Sequence, residues 1–378
     1  MITNPDNSFT PGQIHKLLVI AIIFTSFLNL NSKARISLLV LFIASFLNSN
    51  TIFAIIPNLI ATAKIASFLL VFYFLLYSIK KNNVTLKQFI SIISFSYIII
   101  IINQILGYLG FGKSTYDFDY EGVGTTGFFF ETNAYSIIFL TIASILLFQA
   151  FNNKEYFKLS LYVLLNFIIG FSIGTKVAMV GIVIVHFIIL FYLSKKYFFL
   201  IACLSICFAI LNFNKIMESS QVTKINKNMD YLGTNEGLFS GRLERLDKCT
   251  SDFFDKYTTF EQFFGIGDDQ IKNNTQIGGI AEIDYIDILK KNGIIGFIII
   301  YFSFISICIN QLKNYKKYKI REFKIIFLLN IIFLIISSTA GHLFLSGSAP
   351  IFLALLNIYP FLLIEFKLQK EITYSGNL

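Results

Sequence analysis

Five short polar patches interrupt an otherwise apolar chain, and each carries side chains suited to binding an anion or moving a proton. The richest is AEIDYIDILKKNGIIGF, Ala281 to Phe297, where Glu282, Asp284 and Asp287 stand just ahead of a long apolar run. On a helix Asp284 and Asp287 share a face at i and i+3. Crowded carboxylates raise one another's proton affinity, which suits a general base acting on a hydroxyl; the alternative is a polar collar at a helix start, where negative charge suits the dipole. In SGRLERL, Ser240 to Leu246, Arg242 presents a planar fork of donors matched to phosphate or pyrophosphate oxygens. Arg245 lies one turn further on, although a solvated charged face has the same pattern. SIGTKVAM, Ser172 to Met179, sets Lys176 beside Gly174 and Thr175, as an anion ligand or as an anchor snorkelling to the interface. GFFFETNAYS, Gly127 to Ser136, offers Glu131 and Asn133 as substrate contacts or as a polar helix start. AGHLFLSGSAP, Ala340 to Pro350, places His342, a proton carrier or phosphate ligand, in the turn before the last apolar run.

Other reactive side chains point to less. His186 lies in the middle of an apolar run, where a buried, hydrogen-bonded imidazole is the expectation, and His15 near the start is uninformative. The cysteines, Cys203, Cys207, Cys249 and Cys308, have no metal-ligand spacing. Cys203 and Cys207 share a helix face and read as small hydrophobes. The spacing therefore asks for no metal and no cofactor.

The elements that must position these patches are membrane helices. Of 378 residues, 55% are hydrophobic and only 14% are charged, which excludes an ordinary soluble domain. Runs long enough to cross the hydrocarbon core number about eleven, within a range of about 10 to 12. They lie near 14 to 31, 36 to 56, 58 to 79, 88 to 107, 128 to 151, 157 to 173, 177 to 194, 197 to 213, 293 to 310, 323 to 340 and 348 to 366. The first run lacks a small-residue cleavage pattern and reads as retained.

A net charge of +9 would suggest nucleic acid for a soluble protein, but its placement argues against that. Lys33 and Arg35, Lys80, Lys81 and Lys87, Lys154 and Lys158, Lys195 and Lys196, and the run from Lys313 to Lys324 fall in alternate connections, which predicts that those face the cytoplasm. The patches then face outward. Eleven spans place the C-terminus inside and the N-terminus outside. Three regions follow: a transmembrane bundle over 1–213, a large extracytoplasmic loop over 214–292, and C-terminal transmembrane helices over 293–378. Within the loop, Ser240 is a candidate cap for an amphipathic helix bearing Leu243, Leu246, Phe253 and Phe254, expected to lie at the membrane surface. GIGDDQ, Gly265 to Gln270, is followed by a polar stretch with Gly278 and Gly279 that reads as flexible, and then by a second helix entering the membrane near Gly293.

The order of these parts resembles the O-antigen and exopolysaccharide repeat-unit polymerases, relatives of the O-antigen ligases. The resemblance spans most of the chain and rests on many spans with one large late outward loop, and on GFFFETNAYS, SIGTKVAM, SGRLERL, GIGDD, EIDYIDILKKNGIIG and GHLFLSG in sequence. It implies an all-α helical bundle similar to metal-independent glycosyltransferases of the membrane-embedded C type (GT-C-like), in the bacterial cytoplasmic (inner) membrane with its site toward the periplasm or exterior. The implied reaction joins undecaprenyl-pyrophosphate-linked oligosaccharides, donor and acceptor both lipid-linked, with loss of the polyprenyl pyrophosphate. Lys176 and Arg242 stand where such proteins tend to carry pyrophosphate-holding arginines, so Lys176 departs from the pattern by offering a point charge in place of a fork. Where the ligases tend to carry a His followed by a polar residue, this chain has Glu282 and Asp284, which favours polymerisation over transfer to a lipid A core. A flippase or other transporter of lipid-linked glycans is the non-enzymatic alternative. A chain-length regulator and a flippase of the same pathway are partners implied by analogy alone, beside membrane lipids.

Overall fold

The computed structural model describes residues 32–49, 52–81, 83–115, 124–129, 131–199, 202–203, 220–234, 241–273 and 279–375. Among them the chain is an all-α membrane protein in which eight helices are long and apolar enough to cross a bilayer. The order is α1 (Ser32–Leu47), α2 (Ile52–Lys80), α3 (Leu86–Tyr108), a ribbon of β1 (Lys113–Ser114) and β2 (Thr125–Gly127), α4 (Thr132–Asn152), α5 (Tyr156–Ile173) and α6 (Lys176–Leu193). Short helices follow: α7 (Ser220–Leu232), α8 (Arg242–Asp255), α9 (Thr259–Phe264) and α10 (Gly267–Asn273). The chain then returns through α11 (Asp284–Tyr318), α12 (Arg321–Thr339) and α13 (Ala349–Ser375). The expected run 14 to 31, most of 197 to 213, and Ser240 lie outside the described residues.

Helix α4 is apolar on every side and buried along almost its whole length, as befits a helix enclosed by its neighbours. By contrast α3 turns Ile92, Phe95, Ile99 and Ile102 outward, a face suited to lipid. Since lipid tails are as apolar as the side chains, close packing and polar contacts must select the helix partners. The Tyr97 hydroxyl donates to Asn166 Oδ1 at 2.6 Å, and the Asn166 amide meets His186 Nε2 at 3.2 Å, tying α3, α5 and α6. His186 is thus the buried, hydrogen-bonded group expected. Asn330, Asn357 and Gln311 link α11, α12 and α13 in the same way.

One helix boundary differs from the sequence expectation. Runs 36 to 56 and 58 to 79 divide at Pro57, whereas the chain turns at Asn48 and Ser49 and Pro57 sits inside α2. Proline near a helix start removes one backbone donor, while consecutive Asn and Ser side chains compete actively for backbone groups and favour a turn.

Three of the basic connections gather at one end. Arg321 Nη1 donates to Leu193 O at 3.2 Å and lies over the Phe151 ring, Lys324 lies over Tyr192, and Asn152 Nδ2 donates to Glu322 Oε1 at 2.7 Å. The α4–α5, α6-terminal and α11–α12 connections therefore share a surface. At the other end, α8 to α10 form a lobe around two small cores, one of Cys249, Ala281, Ile283 and Ile286, the other of Phe253, Tyr257, Ile266 and Ile271. Of the predicted amphipathic face, Phe253 is buried in the lobe and Phe254 is exposed.

Gly293 adopts φ 66° and ψ −174°, which splits α11 into a short outer helix and a long apolar one, close to where the sequence predicts that the chain meets the membrane. Gly265 presses on the backbone at Lys291 and Gly293 on the backbone at Phe263, approaches that a side chain would block. GIGDDQ is docked on its neighbours, while most of the stretch expected to be flexible, 274–278, lies outside the described residues. Ile266 N donates to Lys290 O at 3.0 Å, Asp268 N donates to Asn58 Oδ1 at 2.8 Å, and α10 begins at Gly267. Its glycines serve close docking of the lobe.

Candidate functional site

The site is built around the turn that precedes α11. Asp287, almost fully buried one turn inside that helix, accepts from Ala281 N at 2.8 Å and Ile283 N at 3.2 Å. Lys290, with no exposed surface, donates from Nζ to Gly279 O at 2.9 Å and to Cys249 Sγ at 3.4 Å. Opposite charges on successive turns thus hold the N–H and C=O groups of one short segment. Between those anchors Glu282 takes φ 59°, a left-handed conformation that costs a side-chain-bearing residue roughly 1–3 kcal/mol and persists only where neighbours enforce it. Gly341, itself at φ 64°, packs its backbone directly against the Glu282 carbonyl.

Asp284 is completely buried and organises the opposite side of this turn. Its carboxylate accepts from His342 N at 2.7 Å, Leu343 N at 2.8 Å, Phe344 N at 3.1 Å and Ser337 Oγ at 2.9 Å. Four donors on one carboxylate fold the 340–344 turn over the start of α11. His342 is half-buried there, at φ 65°. Asn133 Nδ2 donates to Ala340 O at 3.1 Å, which brings the start of α4 against the same turn, with Glu131 exposed two residues earlier.

The cations come from two other elements. Arg242 opens α8, and its Nη2 lies 3.0 Å from Glu282 Oε2; Arg245, one turn on, reaches Glu282 Oε1 at 3.3 Å. Arg242 Nε is buried and has no hydrogen-bond partner among the described residues. Lys176 opens α6, where Thr175 caps the helix by accepting from Ala178 N at 3.0 Å and meets Ser136 of α4 at 2.7 Å. Lys176 lies within electrostatic reach of Arg242. Burial alone would raise the Glu282 carboxyl, but the hydrogen bonds and charges of Arg245 and Arg242 outweigh it, and its pKa falls below the ordinary carboxylate range.

All five patches therefore meet at the end opposite the basic connections. Arg242, Arg245 and Glu282 are in direct contact, Lys176 stands near Arg242, and His342 and Asn133 join through the 340–342 backbone. Asp284 and Asp287 lie behind this surface with their oxygens committed to backbone N–H groups. Lys290 and Gly341 went unnoticed in the sequence. The only signal for Lys290 was its i+3 spacing from Asp287, and Gly341 carried none. Chemically, two arginines paired with one half-buried carboxylate, with Lys176 near Arg242, form an anion site whose resident counterion is the protein's own Glu282.

No protein-family model matches this chain, and a search of curated proteins finds no match.

Proposed function

We propose that this protein polymerises polyprenyl-pyrophosphate-linked oligosaccharide repeat units at the outer face of the bacterial cytoplasmic membrane. The observation that carries this reading is the pairing of Arg242 and Arg245 with Glu282, with Lys176 within electrostatic reach of Arg242, at the end remote from the basic connections. A lipid-linked substrate keeps its isoprenoid in the bilayer and its diphosphate at the rim, where these cations stand. In the reaction an acceptor hydroxyl attacks the anomeric carbon of the donor glycan, the bond from that carbon to the pyrophosphate oxygen breaks, and the hydroxyl proton passes to a base. Pyrophosphate is already a good leaving group, so stabilising its growing negative charge is the chief task.

The ion pairs suggest how binding prepares the base. A diphosphate competes with Glu282 for the two guanidinium forks, and its negative charge beside the released carboxylate raises that group's proton affinity. Glu282 is a weak base in the resting protein and a stronger one once substrate is seated, with His342 as the neighbouring alternative. Asp284 and Asp287 act as positioning residues, holding Glu282 and His342 in their left-handed turns. Glu131 and Asn133 border the space for sugars.

Reconstitution of the purified protein with a polyprenyl-pyrophosphate oligosaccharide tests the reading. A ladder of products is expected from the native chain, and Arg242→Ala is expected to lower the rate by about 100-fold or more while the protein accumulates normally. A normal ladder from Arg242→Ala removes that residue from the site, and a native chain that makes no glycosidic bond leaves only the membrane assignment.

A further inference from the structure

A second polar site lies beneath the lobe, away from the arginines. Ser45 and Asn48 at the end of α1, Asn58 and Thr62 of α2, Asp268 of α10 and Asn292 at the kink of α11 line one small recess. Eight buried side-chain atoms lack a hydrogen-bond partner among the described residues, and three of them, Ser45 Oγ, Asn48 Oδ1 and Asn292 Oδ1, are in this recess. Buried polar atoms are normally satisfied, so three oxygens left over in one place call for an occupant. The Asn48 amide cannot simply be turned around, because its Nδ2 donates to Phe264 O and to Lys291 O at 3.3 Å, which leaves Oδ1 as a pure acceptor.

The surroundings select a cation. Two helices end at the recess, α1 after Leu47 and the outer half of α11 at Asn292, and the C-terminal ends of helices carry partial negative charge. Asp268 is paired with Lys291 at 2.6 Å, both largely buried, so that pair adds no net charge and the remaining ligands are neutral amide and hydroxyl oxygens. Divalent ions need several anionic oxygens, and Asp268 is the one carboxylate lining this recess.

We propose that this recess binds one sodium ion through Ser45 Oγ, Asn48 Oδ1 and Asn292 Oδ1. The ion joins the end of α1 to the kink of α11, the segment on which Gly265 of the lobe packs. This proposal is independent of the glycosyl-transfer reading.

The test uses the full chain in detergent, with the buried thiols of Cys249 and Cys308 reporting unfolding to a thiol-reactive dye. Sodium, potassium and choline chlorides are compared at one ionic strength. Sodium is expected to raise the midpoint by about 3 °C or more in a saturable manner, relative to both other salts. Ser45→Ala deletes a hydroxyl that makes no hydrogen bond and is expected to abolish the sodium response while leaving the midpoint in choline nearly unchanged. Thr126→Ala, which deletes another partnerless hydroxyl far from the recess, is expected to keep the response. Equal midpoints in all three salts, or a sodium response that persists in Ser45→Ala, overturns the proposal.

Discussion

The two ends of this molecule use charge in opposite ways. At the basic end, Lys158 and Glu155 pair at 3.0 Å while largely exposed, and Lys154 and Lys319 take positive φ as exposed residues at helix ends, a common way to terminate a helix. At the other end, Asp284, Asp287 and Lys290 are buried, and the positive-φ residues Glu282 and His342 sit between helices, where only surrounding hydrogen bonds hold them. Exposed charge at a membrane boundary is inexpensive and interchangeable, whereas buried charge and strained backbone survive only where something depends on them. The contrast is one of degree, since Glu322 is buried at the basic end, where it accepts from Asn152; buried charge beside strained backbone is what supports the proposed site at the arginine-bearing end.

The largest effect that would sharpen this contrast belongs to Asp284. Asp284→Ala strands three backbone N–H groups, and it is expected to destabilise the protein by about 3 kcal/mol or more, measured by thermal unfolding in detergent. A loss under about 1 kcal/mol would show that the 340–344 turn holds itself. Glu282 comes next. Its depressed pKa means that its ion pairs stabilise the lobe at neutral pH and lose that contribution as the pH falls through the folded-state value. The stability gap between the native chain and Glu282→Gln is therefore expected to shrink progressively as the pH falls below the ordinary carboxylate range. A gap that stays constant through that range would mean that the arginines do not sense the carboxylate's charge. The smallest effect is predicted at the basic end, where Lys158→Ala should change stability by no more than about 0.5 kcal/mol and leave product formation unchanged.

Much of this was legible in the residues because the bilayer imposes a length and a polarity on each segment. The long charge-free runs gave the membrane helices, and polar residues tolerated at their ends gave the patches. The division of labour among the carboxylates was not legible. Glu282, Asp284 and Asp287 look alike in sequence, and what separates them is backbone N–H groups at 281 and 283 and, some sixty positions later, at 342 to 344. The turn at Asn48 was hidden for a similar reason: Pro57 is the louder local signal, but the Asn48 side chain is secured by the carbonyls of Phe264 in the lobe and Lys291 in α11, both distant in sequence.

The central claim is that the arginine pair holds a diphosphate that displaces Glu282. Binding of undecaprenyl pyrophosphate to the full chain, with no acceptor present, tests it without requiring turnover. Arg242→Ala combined with Arg245→Ala is expected to weaken binding by at least about 10-fold, while Lys158→Ala leaves it unchanged. Equal affinity in the native chain and the double variant would contradict the account.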